Sequence, residues 1–218
     1  MAAKRRHSLI ASGALPLVQV PPRGIWGSSG QAAHTTAEAW LGRPLAEGPD
    51  LAAMLLRYLA AFGPASVKDM QVWCGLTRLR EIIEQLRPNL LTFRDEQGQE
   101  LFDLPDAPRP DPTTPAPPRF LSEFDNMLLS FEDRTRILAD EDKPLVFTEN
   151  GIIRATLLVD GFVCGIWSAA QKHQTATLTI KLFRPIAEEQ LAAIQTEAAQ
   201  LFDFIAPDAQ TRDIRISY

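Results

Sequence analysis

Phosphate-binding surfaces are built from cations, and this chain offers Arg23, Lys68, Arg78, Arg80, Arg94 and Arg134 in segments that also carry polar and apolar partners. Each Lys or Arg that meets a phosphate releases counterions, and several must act together before the effect becomes large. Arg134 and Arg136 suit either of two roles, a phosphate contact or pairing with neighbouring acids. Asp125, in Phe124-Asp125-Asn126, is the most motif-like acid, and Asx side chains in such strings commonly cap turns. His34 stands beside Thr35 and Thr36 and reads as a structural hydrogen-bonding residue, while His7 and His173 lack partners at metal-ligand spacing. Trp26, Trp40, Trp73 and Trp167 can stack on bases, yet dispersed single tryptophans more often fill cores and interfaces. Cys74 and Cys164 form neither a disulfide framework nor a CxxC knuckle and are expected as buried small hydrophobes. No GxxxxGK[ST], GxGxxG, HExxH or GxSxG string occurs, so no cofactor or metal is expected and ordinary cofactor enzymes are disfavoured.

The elements that must position these cations follow from hydrophobic spacing. Asp50 can cap a helix carrying Leu51, Met54, Leu55, Tyr58 and Leu59, which Gly63-Pro64 ends. Ser66 and Asp69 form a capping-box pattern for a second, short helix through Met70 and Trp73 to Gly75. Thr77 is placed to cap a third, whose apolar stripe is Leu79, Ile82, Ile83 and Leu86 and whose surface holds Arg78, Arg80, Glu81, Glu84 and Arg87. Pro88 stops it, and residues 90–94 and 100–104 pair as strands around Gln97-Gly98. Three helices and a hairpin in this order outline a winged helix. Its third helix either presents Arg78 and Arg80 to a major groove or is a solvated face, since Glu81 and Glu84 repel phosphate. Lys68 and Arg94 then add backbone contacts that position without specifying sequence.

Seven prolines from Pro105 to Pro118 favour an extended connector. Beyond it, residues 152–159 and 162–167 flank Asp160-Gly161, a strong hairpin signal, and residues 175–183 alternate with Ala176, Leu178, Ile180 and Leu182 on one face. Leu191, Ile194, Ala198, Leu201 and Ile205 make a helix stripe, and Ile214, Ile216 and Tyr218 a closing strand. The expectation is an α+β chain: a winged helix, then a small antiparallel, barrel-like sheet with one helix. Residues 17–20 read as a strand and 34–41 as a short helix, whereas residues 1–15 show no hydrophobic period. The domain plan is 1–49 as the remnant of a preceding winged helix with its connector, 50–104 as the winged helix, 105–118 as linker and 119–218 as the barrel-like domain.

The bulk numbers narrow the classes. A chain of 218 residues, 45% of them hydrophobic, can bury a sizeable core. No apolar run approaches the roughly 20 residues of a membrane span, and no secretory signal is apparent, so a cytoplasmic protein without membrane partners is expected. The net charge of -5 argues against tight nucleic-acid binding through charge alone, although Lys4, Arg5, Arg6, Arg23 and Arg43 make the beginning of the chain locally basic.

Specific strings add to this reading. Val20-Pro21-Pro22-Arg23-Gly24 with Trp26, His34-Thr35-Thr36-Ala37-Glu38-Ala39-Trp40-Leu41-Gly42, and Phe124-Asp125-Asn126 with Leu128-Leu129-Ser130 resemble the bacterial winged helix DNA-binding domain-containing family. Asp133-Arg134, Phe147-Thr148, Asn150-Gly151 and Val159-Asp160-Gly161 resemble it too, and the likeness runs over residues 17–218. That family includes glycosylases that unhook interstrand crosslinks and remove alkylated bases, and it is built from tandem winged helices and a C-terminal β-barrel. The resemblance implies duplex DNA, damaged or intact, as the partner of a monomeric chain. Its glycosylases carry a Gln-apolar-Gln or Gln-apolar-Asp catalytic motif early in a longer chain. Here the one Gln-x-Gln is Gln97-Gly98-Gln99 at the hairpin tip, so no catalytic residue is carried over and the chain is expected as an N-terminally shortened, DNA-gripping relative. An active glycosylase and a scaffold without nucleic acid are the alternatives.

Overall fold

The structure, a computed structural model, describes residues 15–23, 25, 30–46 and 48–218. The readings of residues 1–14, His7, Gly24 and Trp26 lie outside those residues. Two compact units divide the chain, Met1–Asp50 and Leu51–Tyr218. The architecture is α+β, as the residue patterns predict.

In the first unit, β1 (Leu17–Val20) pairs antiparallel with β2 (Ala33–Thr36), Leu17 opposite Thr36. The strand at 17–20 is as expected. The helix expected from residue 34 starts later, as α1 (Ala37–Leu41), because Thr35 and Thr36 extend the strand and the Thr36 side chain caps the helix by accepting from the Ala39 N–H.

The second unit opens with α2 (Leu51–Phe62), α3 (Val67–Cys74) and α4 (Arg80–Leu86), then a 3-10 turn (Arg87–Asn89) and the antiparallel hairpin β3 (Leu91–Arg94) and β4 (Glu100–Asp103). Helix α2 buries Leu55, Tyr58 and Leu59 against Met70, Leu79, Ile83, Leu90 and Phe102. Gly63 closes it with an N–H to the Leu59 carbonyl, and a Cβ there would press on that carbonyl at 2.7 Å and on the Asp103 carboxylate. Ala65 then exchanges both backbone hydrogen bonds with Phe102, at 3.0 and 2.8 Å, so one residue between α2 and α3 joins the hairpin as a strand. The Ser66 and Asp69 capping box is present in both directions. Thr77 does not cap the third helix. Arg78 adopts a φ of 61°, which interrupts the helical path, and α4 begins only after Leu79, without a side-chain cap.

After residues 105–118, which hold no helix or strand, five strands form one sheet in the order β5 (Arg119–Leu121), β6 (Thr156–Val159), β7 (Phe162–Lys172), β8 (Thr175–Leu182), β9 (Thr211–Ser217). The β6–β7 turn is Asp160-Gly161, with φ of 51° and 79°. The strand expected from residue 152 is shorter, since residues 148–152 make a turn closed by Thr148 N–H to the Ile152 carbonyl. The expectation of a wholly antiparallel sheet fails at its end: β9 runs parallel to β8. The reason is α6 (Glu188–Ile205), which follows a short α5 (Lys143–Val146) in chain order and carries the chain back along the sheet, as a parallel pairing requires. Ala176, Leu178, Ile180 and Leu182 bury against Ile194, Ala198 and Phe202 of α6. A second core, from Leu128, Ile137, Leu138, Val146, Ile153 and Val163, packs with Leu158 and Ile166. Both cysteines are half-buried, not fully buried as expected, because Cys74 ends a helix and Cys164 lies beside the sheet core.

The helices and the segment after the prolines are bonded to each other. Tyr58 Oη donates to the Ser130 carbonyl at 2.6 Å, Glu132 N–H donates to Asp69 Oδ1 at 2.8 Å, and Phe62 meets Phe131 edge-on at 6.2 Å.

Candidate nucleic-acid interface

Most cations picked from the sequence are engaged inside the molecule. Arg80 Nη1 lies 3.2 Å from both Glu84 and Glu100, which ties the start of α4 to the hairpin. Arg87 reinforces the tie, with Nε 2.6 Å from Glu84 and Nη2 2.9 Å from Glu100. The Arg87 hydrogen bonds, and secondarily those of Arg80, hold the Glu84 carboxyl down to about 2 and pull Glu100 below the usual carboxylate range. The repulsion of phosphate expected from Glu84 is thus accompanied by capture of the nearest guanidiniums. Lys68 pairs with Glu132 at 2.5 Å, and both side chains remain largely exposed.

Arg94 Nη1 donates to the Gly98 carbonyl at 2.9 Å and so braces the hairpin turn. Arg134 is half-buried, its Nε donating to the Leu128 carbonyl at 2.6 Å and its guanidinium 5.2 Å from the Phe147 ring centre. Arg136 reaches the Pro64 carbonyl at 3.1 Å and stacks over Phe131. Arg78 and Arg23 are exposed and make no side-chain hydrogen bond or ion pair among the described residues. Arg78 is the cation best presented beside α4.

Among the remaining candidates, Asp125, Trp73 and Trp167 have structural surroundings. Asp125 Oδ1 accepts from Met127 N–H at 2.9 Å and caps the 3-10 turn Asn126–Leu128, the turn-capping role expected of it. His34 is exposed on β2 and its side chain makes no hydrogen bond among the described residues, against the hydrogen-bonding role expected of it, and His173 occupies the β7–β8 turn with a φ of 53°. Trp73 packs 5.0 Å from Tyr58, Trp167 Nε1 donates to the Leu121 carbonyl at 2.9 Å, and Trp40 stands 56% exposed. Among the described residues no group of three or more His, Cys, Asp or Glu side chains is arranged to hold a metal ion, and no helix is long and apolar enough to cross a membrane.

A concavity of about 620 Å³ on the sheet was not foreseen. It is lined by Glu123, by Thr148, Asn150, Ile152 and Arg154, by Ile166, Trp167 and Ser168 of β7, and by Thr179 and Lys181 of β8. Ile166 stands opposite Lys181 and Ser168 opposite Thr179, so these four share one sheet face. Only the polar half of the β8 alternation hinted at it: Thr179 and Lys181 point away from α6.

Helices, hairpin and five-stranded sheet place this chain among α+β proteins of known architecture. The solved structure of the Streptomyces sahachiroi DNA glycosylase AlkZ shares the fold at a TM-score of 0.70 and 23% identity, over 92% of this chain and 54% of that one. The model of the family described as DNA glycosylase AlkZ-like matches residues 3–204, so the chain belongs to that family. This is the family that the Val20 to Gly161 strings resemble. An interstrand DNA cross-link repair glycosylase of Streptomyces sahachiroi is 28% identical over an alignment of 163 residues that covers 70% of this chain and 43% of that protein. The chain therefore spans about half the length, or less, of the proteins it matches.

Proposed function

We propose that this chain is a winged helix protein that grips duplex DNA in a repair setting, with residues 50–104 as the winged helix, 105–118 as its linker and 119–218 as a barrel-like partner domain. The observation that carries the reading is the double backbone bond between Ala65 and Phe102, which gives the three-helix and hairpin outline the short strand that pairs a wing. Membership of a DNA glycosylase family supports the DNA partner. Arg78, unpaired and exposed in the turn just before α4, is the residue assigned to the groove or its phosphates, and Arg23 supplies a further free cation among the described residues. Lys68 contributes where phosphate displaces Glu132, because exposed ion pairs are weak, on the order of 0 to 1 kcal/mol. Arg80, Arg94 and Arg134 support the shape of the surface through their internal bonds.

In this reading the chain is a cytoplasmic monomer that holds DNA without a catalytic residue of its own. The test is a titration against intact, abasic and alkylated duplexes with base release measured in the same tubes. Binding that weakens steeply with added salt, without base release, is the expected outcome. Base release makes the chain an active glycosylase, and absence of binding at low salt makes it a scaffold.

A further inference from the structure

The geometry points to the sheet concavity as a seat for a phosphate of the DNA chain, with Lys181 and Arg154 as its cationic partners. The inference rests on the DNA-binding reading above and adds a second contact region to it. Lys181 makes no ion pair among the described residues, and the Arg154 guanidinium donates only to the neutral Leu145 carbonyl, at 3.3 Å, among those residues. Glu123, the one acid in the lining, pairs with neither. The two cations come from different segments, Arg154 from the stretch after the 148–152 turn and Lys181 from β8, and Asn150, Ser168 and Thr179 add amide and hydroxyl groups to the lining, while the Thr148 hydroxyl is committed to the Ile152 carbonyl. An anion with several acceptor oxygens matches two cations ringed by neutral donors. The 620 Å³ of space exceeds what a phosphate fills and leaves room for the adjoining sugar. The same sheet face holds Thr156, opposite Ile166, whose buried hydroxyl finds no hydrogen-bond partner among the described residues.

The test uses the full chain. Lys181→Met with Arg154→Met is compared with Arg119→Gln, which removes one positive charge from an exposed β5 residue paired with Glu197 of α6. The double variant is expected to bind duplex about tenfold more weakly and to lower the slope of log affinity against log salt by about 1.8, two contacts at roughly 0.9 each. Arg119→Gln is expected to leave the slope within about 0.3 of the parent. Thr179→Lys, which adds a cation to the lining without touching a core residue, is expected to tighten binding about threefold, so the inference stays testable if the double variant misfolds. A parent that binds duplex while all three variants match it overturns the phosphate seat and leaves the DNA-binding reading standing. A parent that does not bind duplex overturns both. A deoxynucleoside monophosphate at millimolar concentration that stabilises the parent, with duplex affinity unchanged in the variants, assigns the concavity to free nucleotide and overturns the DNA-chain assignment.

Discussion

On the helix and hairpin side Arg80 and Arg87 close on Glu84 and Glu100, and Lys68 on Glu132, whereas in the sheet concavity Lys181 and Arg154 meet no carboxylate among the described residues. The two regions use the same residue types for different ends. Where α4 must be fixed against a short hairpin, guanidiniums and carboxylates serve as fasteners, and their field largely cancels. Where the sheet is already held by strand pairing and by α6, Lys181 and Arg154 are left without a carboxylate partner among the described residues. A surface rich in arginine is therefore a poor guide to anion binding until the partners of each guanidinium are known.

The joint between the two regions should give the largest effect. Asp69 is 5% exposed, caps α3 through Ser66, and accepts the Glu132 N–H at 2.8 Å. Asp69→Ala removes a cap and leaves buried donors without acceptors, at a cost of about 3 kcal/mol. Thermal unfolding followed by circular dichroism should show one transition moved down. Two separated transitions would mean that helices and sheet unfold independently and that the joint couples little.

A smaller and opposite effect is expected from Glu84→Gln combined with Glu100→Gln. The substitutions free Arg80 and Arg87 from their carboxylates, so the helix side comes to resemble the concavity. Duplex affinity at low salt should rise about tenfold, with a salt slope steeper by about 1.8 if both guanidiniums reach phosphate. Unchanged affinity in fluorescence anisotropy would show that these arginines face away from the DNA even when released.

Much of this comparison was legible in the residues. Ser66 with Asp69 foretold the capping box, and the alternation at Ala176, Leu178, Ile180 and Leu182 foretold the buried face of β8. Those signals are local, written within one or two turns of chain. The fate of the cations was not legible, because Arg87 meets Glu100 across thirteen positions and Lys68 meets Glu132 across a far longer interval, set by tertiary packing. The concavity was hidden for the same reason: Glu123, Arg154 and Lys181 come from separate segments that only the sheet order brings together. The parallel β9 was hidden too, since a strand's residues carry no mark of direction and only the length of α6 decides it.

The finest difference between the regions can be read from the cysteines, one in each. Cys164 is half-buried in β7, its Sγ 3.5 Å from the Leu157 carbonyl, and burial pushes its thiol up to about 11. A thiolate is the nucleophile in alkylation, so at pH 8 the folded chain should modify Cys164 far more slowly than the unfolded chain does. The sign of the linked stability follows. The folded value lies above the ordinary 9.0, so the contribution is present below 9.0 and is lost as pH rises towards about 11, where ionisation favours the unfolded chain. Mass-resolved iodoacetamide labelling at pH 8, with and without denaturant, checks the rate. Labelling of Cys164 in the folded chain as fast as in denaturant would show the sheet opening readily beside the concavity, and a sheet that opens so readily cannot hold Lys181 and Arg154 at fixed positions.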